Sequence, residues 1–149
     1  ISLELEKKYD ESIEDVIALV DVVFLSKEYV TACGCASAHA YMQSIVDRRL
    51  LREGSVLVCP WGEQGAWALS GTTIHHSPAF PPAKLLDTLG AGDTFNASFL
   101  FARISGRCSC HARAHLRRSV ESALSFACRL AGHKCGQYGF DFSFSEVER

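Results

Sequence analysis

Two hydrophobic periods take turns along this chain. Residues 1–6 alternate apolar and polar and predict a strand, whereas residues 11–20 carry Ile13, Val16, Ile17 and Val20 at three- and four-residue spacing, one side of a helix. A short apolar strand over 21–25 follows. Residues 37–52 return to a loosely helical pattern through Ala40, Ile45, Val46, Leu50 and Leu51, and Gly54 punctuates before an apolar strand at 55–59. Pro60, Gly62 and Gly65 interrupt the chain before extended stretches at 66–69 and 72–76, joined through Ser70-Gly71 and read as antiparallel edge strands.

Pro78, Pro81 and Pro82 exclude regular helix and predict an extended connection, leading through Leu85-Leu86 to a glycine turn and a helix from Asp93 to about Ile104. A last helix is predicted over about 118–133, with Val120, Leu124, Ala127, Cys128 and Ala131 on one face and Gly132 and Gly136 near its end. Strands alternating with helices predict the α/β class: a mostly parallel central sheet with helices on both faces, whose ligands gather at the carboxyl ends of the strands. No internal repeat or low-complexity tract is present.

The chain has 149 residues, 48% of them hydrophobic, and a formal charge of −2. That length allows one core, and that charge offers no basis for binding nucleic acid or an anionic membrane. No apolar run reaches the roughly 20 residues that span a bilayer. A soluble cytoplasmic protein is expected. The seven cysteines are odd in number and lack paired Cys-x-x-Cys spacing, so reduced thiols are expected rather than a disulfide framework or a zinc site. His75-His76 are neighbours in an extended segment, point to opposite faces and cannot readily share an ion. The chain opens on Ile1 directly in a strand pattern, and the expectation is the carboxyl-terminal part of a longer polypeptide.

Candidate chemistry concentrates at Asp87-Thr-Leu-Gly-Ala-Gly-Asp-Thr-Phe-Asn96. A helix start with Gly90, Ala91 and Gly92 leaves backbone N–H groups bare and lets a bulky anion such as phosphate approach. Asp93 opposes that charge unless it takes a proton from a hydroxyl attacking the phosphate, which points to phosphoryl transfer. The competing structural reading is a tight connection into a helix whose first turn Asp93 stabilises.

The stretch Asp87 to Thr94 resembles the second signature of the ribokinase-like carbohydrate kinases, and Phe95-Asn-Ala-Ser98 narrows the resemblance to their fructose-phosphorylating branch. Residues 21–27, 56–59, 79–82 and 131–136 agree with it, so the similarity covers nearly the whole chain. The resemblance implies a partial ribokinase-like domain spanning 1–149, with ATP and fructose as substrates and Asp93 as the catalytic base and sole sugar-binding residue. Gly90, Ala91 and Gly92 are implied as an anion hole, and Gly62, Glu63, Gln64 and Gly65 as a border to the ATP phosphates and ribose. Phe80, Pro81, Pro82, Phe95 and Cys128 are implied as the adenine slot. It also implies Mg2+ with the nucleotide, a monovalent cation, usually K+, at Asp87, and a homodimer formed through an amino-terminal half that also holds the sugar and supplies a lid. Without that half, no independent turnover is expected.

Two departures stand out. Where many family members carry Asn-x-x-Glu, this chain has Ser26-Lys27-Glu28-Tyr29, which removes a carboxylate from the magnesium chemistry, and residues 108–118 form a basic insertion read as a solvated loop. Trp61 and Trp67 are read as packing groups. The alternatives are a related kinase acting on ribose or a nucleoside, and a non-catalytic remnant that binds nucleotide. A dinucleotide-binding turn is disfavoured because Phe95 stands where Gly-x-Gly-x-x-Gly needs its third glycine.

Overall fold

The computed structural model describes residues 1–8, 13–105 and 119–140. Part of the predicted first helix and the whole 108–118 insertion lie outside the described residues. The chain divides into two compact units, one of Ile1–Trp61 with Ala66–His76, the other of Gly62–Gly65 with Ser77–Arg149.

The first unit is built on a five-stranded sheet in the order β1 (Ser2–Leu5), β2 (Val22–Leu25), β3 (Val56–Pro60), β4 (Ala66–Ser70) and β5 (Thr73–Ser77), whose last residue belongs to the other unit. β1, β2 and β3 run parallel, as the intervening helical segments require, and β4 runs antiparallel to β3. The two-residue turn between β4 and β5 allows only an antiparallel return. The expected parallel sheet with an antiparallel appendage is therefore present, but of the two appended strands only β5 is an edge strand. β4 lies inside the sheet, with Ala66, Ala68 and Leu69 fully buried.

Register explains the core. Leu3, Val23, Leu57 and Leu69 are successive partners across four strands, and Leu5–Leu25 and Cys59–Trp67 pair in the same sense. Val23, Leu25, Leu57, Cys59 and Leu69 join one buried cluster with Ile17 of α1 (Ile13–Ile17), Tyr29 and Val30 of α2 (Lys27–Ala32), and Tyr41, Met42 and Ile45 of α3 (Ala38–Asp47). Helix α2 was not anticipated by periodicity, because six residues are too short to display it. Its start is nonetheless local chemistry: the Ser26 hydroxyl accepts from the Tyr29 amide. Helix α3 is shorter than the 37–52 pattern. Ser37 caps it, and the chain leaves it through Arg49 at φ 54°, a left-handed exit. Trp61 and Trp67 pack edge-on with centroids 6.4 Å apart, as packing groups should, while His76 stacks on Trp67 at 4.3 Å.

The second unit contains a 3-10 turn at Gly62–Gln64, α4 (Ala91–Ile104) and α5 (Val120–Cys135), and the two helices pack on each other. Phe95, Phe99 and Ala102 of α4 and Ala123, Leu124, Ala127 and Leu130 of α5 are buried, the three- and four-residue spacing of a packed helix pair. Among the described residues no helix is long and apolar enough to cross a membrane.

Leu57 is fully buried at the centre of the sheet. Leu57→Ala is expected to lower stability by about 2–5 kcal/mol, read as a reduced urea midpoint with unchanged slope.

Candidate functional site

Helix α4 starts differently from its neighbours. Helices α2, α3 and α5 begin on Ser26, Ser37 and Ser119, each hydroxyl accepting a first-turn amide. Helix α4 begins on Gly90, which has no side chain to offer and sits in the left-handed region at φ 75°. A β-carbon there would also strike the ring of Phe140, so glycine is required on two counts. The Ala91 amide donates to the Thr88 carbonyl at 3.1 Å, and the Thr94 amide and hydroxyl both donate to the Gly90 carbonyl at 2.9 Å. Among the described residues, the amides of Gly90, Gly92 and Asp93 have no acceptor. The expected trio of Gly90, Ala91 and Gly92 is thus changed by one member: the Ala91 amide is engaged, and that of Asp93 is open.

The surroundings leave room for an anion. Among the described residues, and apart from the helix's own backbone and the two chain neighbours, nothing lies within 4 Å of where a Gly92 β-carbon would stand. The Asp93 side chain is exposed in the first helical turn and has no protein partner among the described residues. Open amides and a helix N-terminus favour a phosphate oxygen, and an uncommitted carboxylate beside them can accept a hydroxyl proton.

Asp87 anchors the segment before this turn. Its Oδ1 accepts the Leu89 amide at 2.9 Å, closing an Asx turn, and its Oδ2 accepts from Lys134 Nζ at 2.6 Å. Lys134 Nζ also donates to the Asp87 carbonyl at 3.2 Å. The Lys134 ammonium, followed by the Leu89 amide, holds the Asp87 carboxyl below the usual carboxylate range. Both carboxylate oxygens are therefore engaged, and the cation on Asp87 is an ammonium of the chain itself.

The implied nucleotide residues all belong to this second unit. Gly65, at φ 86°, brings the end of the 62–64 turn against the backbone of Ser77 to Ala79, where any β-carbon would overlap the Ser77 carbonyl. Gly62 and Glu63 stay exposed. Gly132 lets the carbonyl of Phe80 press onto α5, and a β-carbon on Gly136 would stand 2.9 Å from Pro82 Cβ. Of these glycines, Gly136 caps the carboxyl end of α5 as the sequence suggested, whereas Gly132 lies inside the helix, and both seat the 80–82 segment along its last turns. Arg129 lies 4.3 Å from the Phe80 ring centroid. Burial pushes the Cys128 thiol up to about 11, which disfavours its thiolate. Phe95 is buried in α4.

Sequence reading singled out neither Lys134 nor Arg129. A signal for Lys134 was present: it continues the apolar stripe of Leu124, Ala127 and Ala131, a position where a charge must have a partner. Among the described residues no cluster of three or more His, Cys, Asp or Glu side chains could hold a metal ion, and the five described cysteines are free thiols.

A model of the pfkB family carbohydrate kinases matches residues 2–146. The chain is 39% identical to ketohexokinase of Mus musculus, over 95% of this chain and 43% of that protein. It is 30% identical to the fructosamine kinase FrlD of Bacillus subtilis (strain 168), over 87% of this chain and 39% of that one. It therefore spans about two fifths of the length of these relatives. Among solved structures, Arabidopsis thaliana ribokinase complexed with ribose and ATP superposes with a TM-score of 0.70 at 22% identity, over 93% of this chain and 42% of that one, a likeness of fold.

The lowered carboxyl of Asp87 has a definite pH signature. A carboxyl depressed in the folded state contributes stability above its unfolded pKa, about 3.9, and loses it as the pH falls through the folded value. The urea midpoint of wild type should exceed that of Asp87→Asn near neutrality, and the gap should close below about pH 4.

Proposed function

Because the chain belongs to the pfkB family of carbohydrate kinases, we propose that it is the ATP-binding and catalytic part of an enzyme that converts fructose and ATP to fructose 1-phosphate and ADP, with Asp93 as general base. The observation that carries this reading is the exposed Asp93 carboxylate in the same helical turn as the acceptor-free amides of Gly90, Gly92 and Asp93. The relative at 39% identity, ketohexokinase, supports a ketohexose as acceptor.

In this mechanism Asp93 takes the proton of the sugar's primary hydroxyl as its oxygen bonds to the γ-phosphorus. The bond from that phosphorus to the β,γ-bridging oxygen breaks, and ADP leaves. The three open amides hold charge on the transferring phosphoryl oxygens, with the dipole of α4 in support. Gly62 to Gly65 border the phosphates and ribose, and Phe80, Pro81, Pro82, Phe95 and buried Cys128 wall the adenine. Magnesium, carried by the nucleotide, would supply charge neutralisation on the triphosphate. The monovalent cation would stand beside Asp87, whose carboxylate is also committed to Lys134 and Leu89. The reading carries with it a cytoplasmic enzyme whose two copies pair through parts of the relatives that this chain does not span.

In the native polypeptide carrying this chain, Asp93→Asn preserves shape and removes the base, so turnover should fall by about 10²- to 10⁴-fold. A fall of less than tenfold overturns the role of Asp93. In this reading the 149-residue chain offers Asp93 to the sugar, and the remaining sugar contacts and the water-excluding lid belong to the parts of the relatives that it does not span. The chain alone should bind ATP in a calorimeter yet form no ADP in response to fructose, and fructose-dependent turnover by it contradicts this expectation. A panel of fructose, ribose and a nucleoside, given to the native polypeptide, identifies the acceptor, and no turnover with any of them favours a nucleotide-binding remnant.

A further inference from the structure

Lys134 is the one charged residue that is fully buried among those described. Burying an ammonium costs several kcal/mol unless it is paired and hydrogen-bonded, and a well-packed apolar pair usually matches or exceeds such an ion pair in stability. Stability alone is thus a weak reason for Lys134 and Asp87 to be there.

The contacts of the pair point elsewhere. Lys134 Nζ bonds both the carboxylate and the carbonyl of Asp87, at 2.6 and 3.2 Å, and lies 5.3 Å from the ring centroid of Phe140. That ring is the one occupying the space where Gly90 lacks a β-carbon. One residue further, the Cys135 carbonyl accepts the amides of Leu86 and Asp87, at 2.9 and 3.3 Å. The last turn of α5 therefore grips residues 86 and 87 through four hydrogen bonds. Asp87 passes the constraint to the Leu89 amide, and Thr88 passes it to that of Ala91. Between them stands Gly90, where the open amides begin. A point charge on a flexible stem suits this enclosed place, and the broader guanidinium of arginine does not.

We propose that Lys134 is a positioning residue for phosphoryl transfer: through Asp87 and Phe140 it sets the aim of the amides of Gly90, Gly92 and Asp93. The proposal rests on the kinase reading for its kinetic consequence and not for its structural one. A displacement of these amides weakens their hold on charge that develops in the transition state, so it lowers turnover more than nucleotide affinity.

The test uses Lys134→Met and the double variant Asp87→Asn/Lys134→Met. The double variant leaves no unpaired buried charge and keeps an acceptor for the Leu89 amide, so it stays folded if the single variant does not. In the native polypeptide, kcat should fall about 10- to 100-fold while KM for ATP stays within threefold, with wild-type-like thermal melting of the double variant. Separately, in the 149-residue chain, amide resonances of Leu89, Gly90, Gly92 and Asp93 should shift in the double variant while those of β2 and β3 stay put. A raised KM with unchanged kcat, or a folded double variant with wild-type kcat, overturns the proposal. If the native polypeptide phosphorylates no sugar, the kinase reading fails, and the amide resonances alone decide: shifts confined to residues 89–93 sustain the positioning role, and their absence sinks it.

Discussion

A helix that begins on a left-handed glycine keeps its first amides open. This constraint organises the second unit of the chain. Serine hydroxyls close the starts of α2, α3 and α5, whereas α4 has Gly90, whose missing side chain both allows φ 75° and makes room for Phe140. The amide of Ala91 is consumed in forming the turn. What remains is a small array of donors with a carboxylate beside it and a helix dipole behind it, an arrangement that stabilises an anion and can deprotonate an alcohol.

Helix α5 acts as the support for this array. A glycine within it and one at its C-cap admit neighbouring groups: Gly132 takes the backbone carbonyl of Phe80, and Gly136 takes the ring of Pro82. Its last turn then bonds Leu86 and Asp87 through Cys135 and Lys134. The extended segment from residue 80 to residue 87 is thereby tied to one helix at both ends. A segment with two prolines and no ladder of its own needs such ties, because its backbone groups otherwise have no fixed partners.

Legibility in the sequence varied with the range of the interaction responsible. Strands β2 and β3 were plain as apolar runs, and the register that joins Val23, Leu57 and Leu69 follows from their period of two. Helix α2 escaped because six residues show no period, although Ser26 carried its capping signal. The exit from α3 at Arg49 contradicted the pattern that runs on to Leu51, since a left-handed arginine is not a residue that announces a stop. At the candidate site, Asp93 and the glycine turn were readable from local composition. Lys134 was not singled out, because its partner lies 47 positions away.

By itself, then, the order of residues determined the alternation of strands and helices, the glycine start of α4 and the kinship with sugar kinases, since each depends on neighbours within a few positions or on a contiguous signature. Only the tertiary structure decided which amides stay open, that β4 is interior, that Gly132 is a seat rather than a stop, and that Asp87 holds an ammonium. Those outcomes depend on which distant group arrives at a given backbone atom. Hydrogen bonds and steric exclusion act over a few ångströms, and sequence separation does not report such distances.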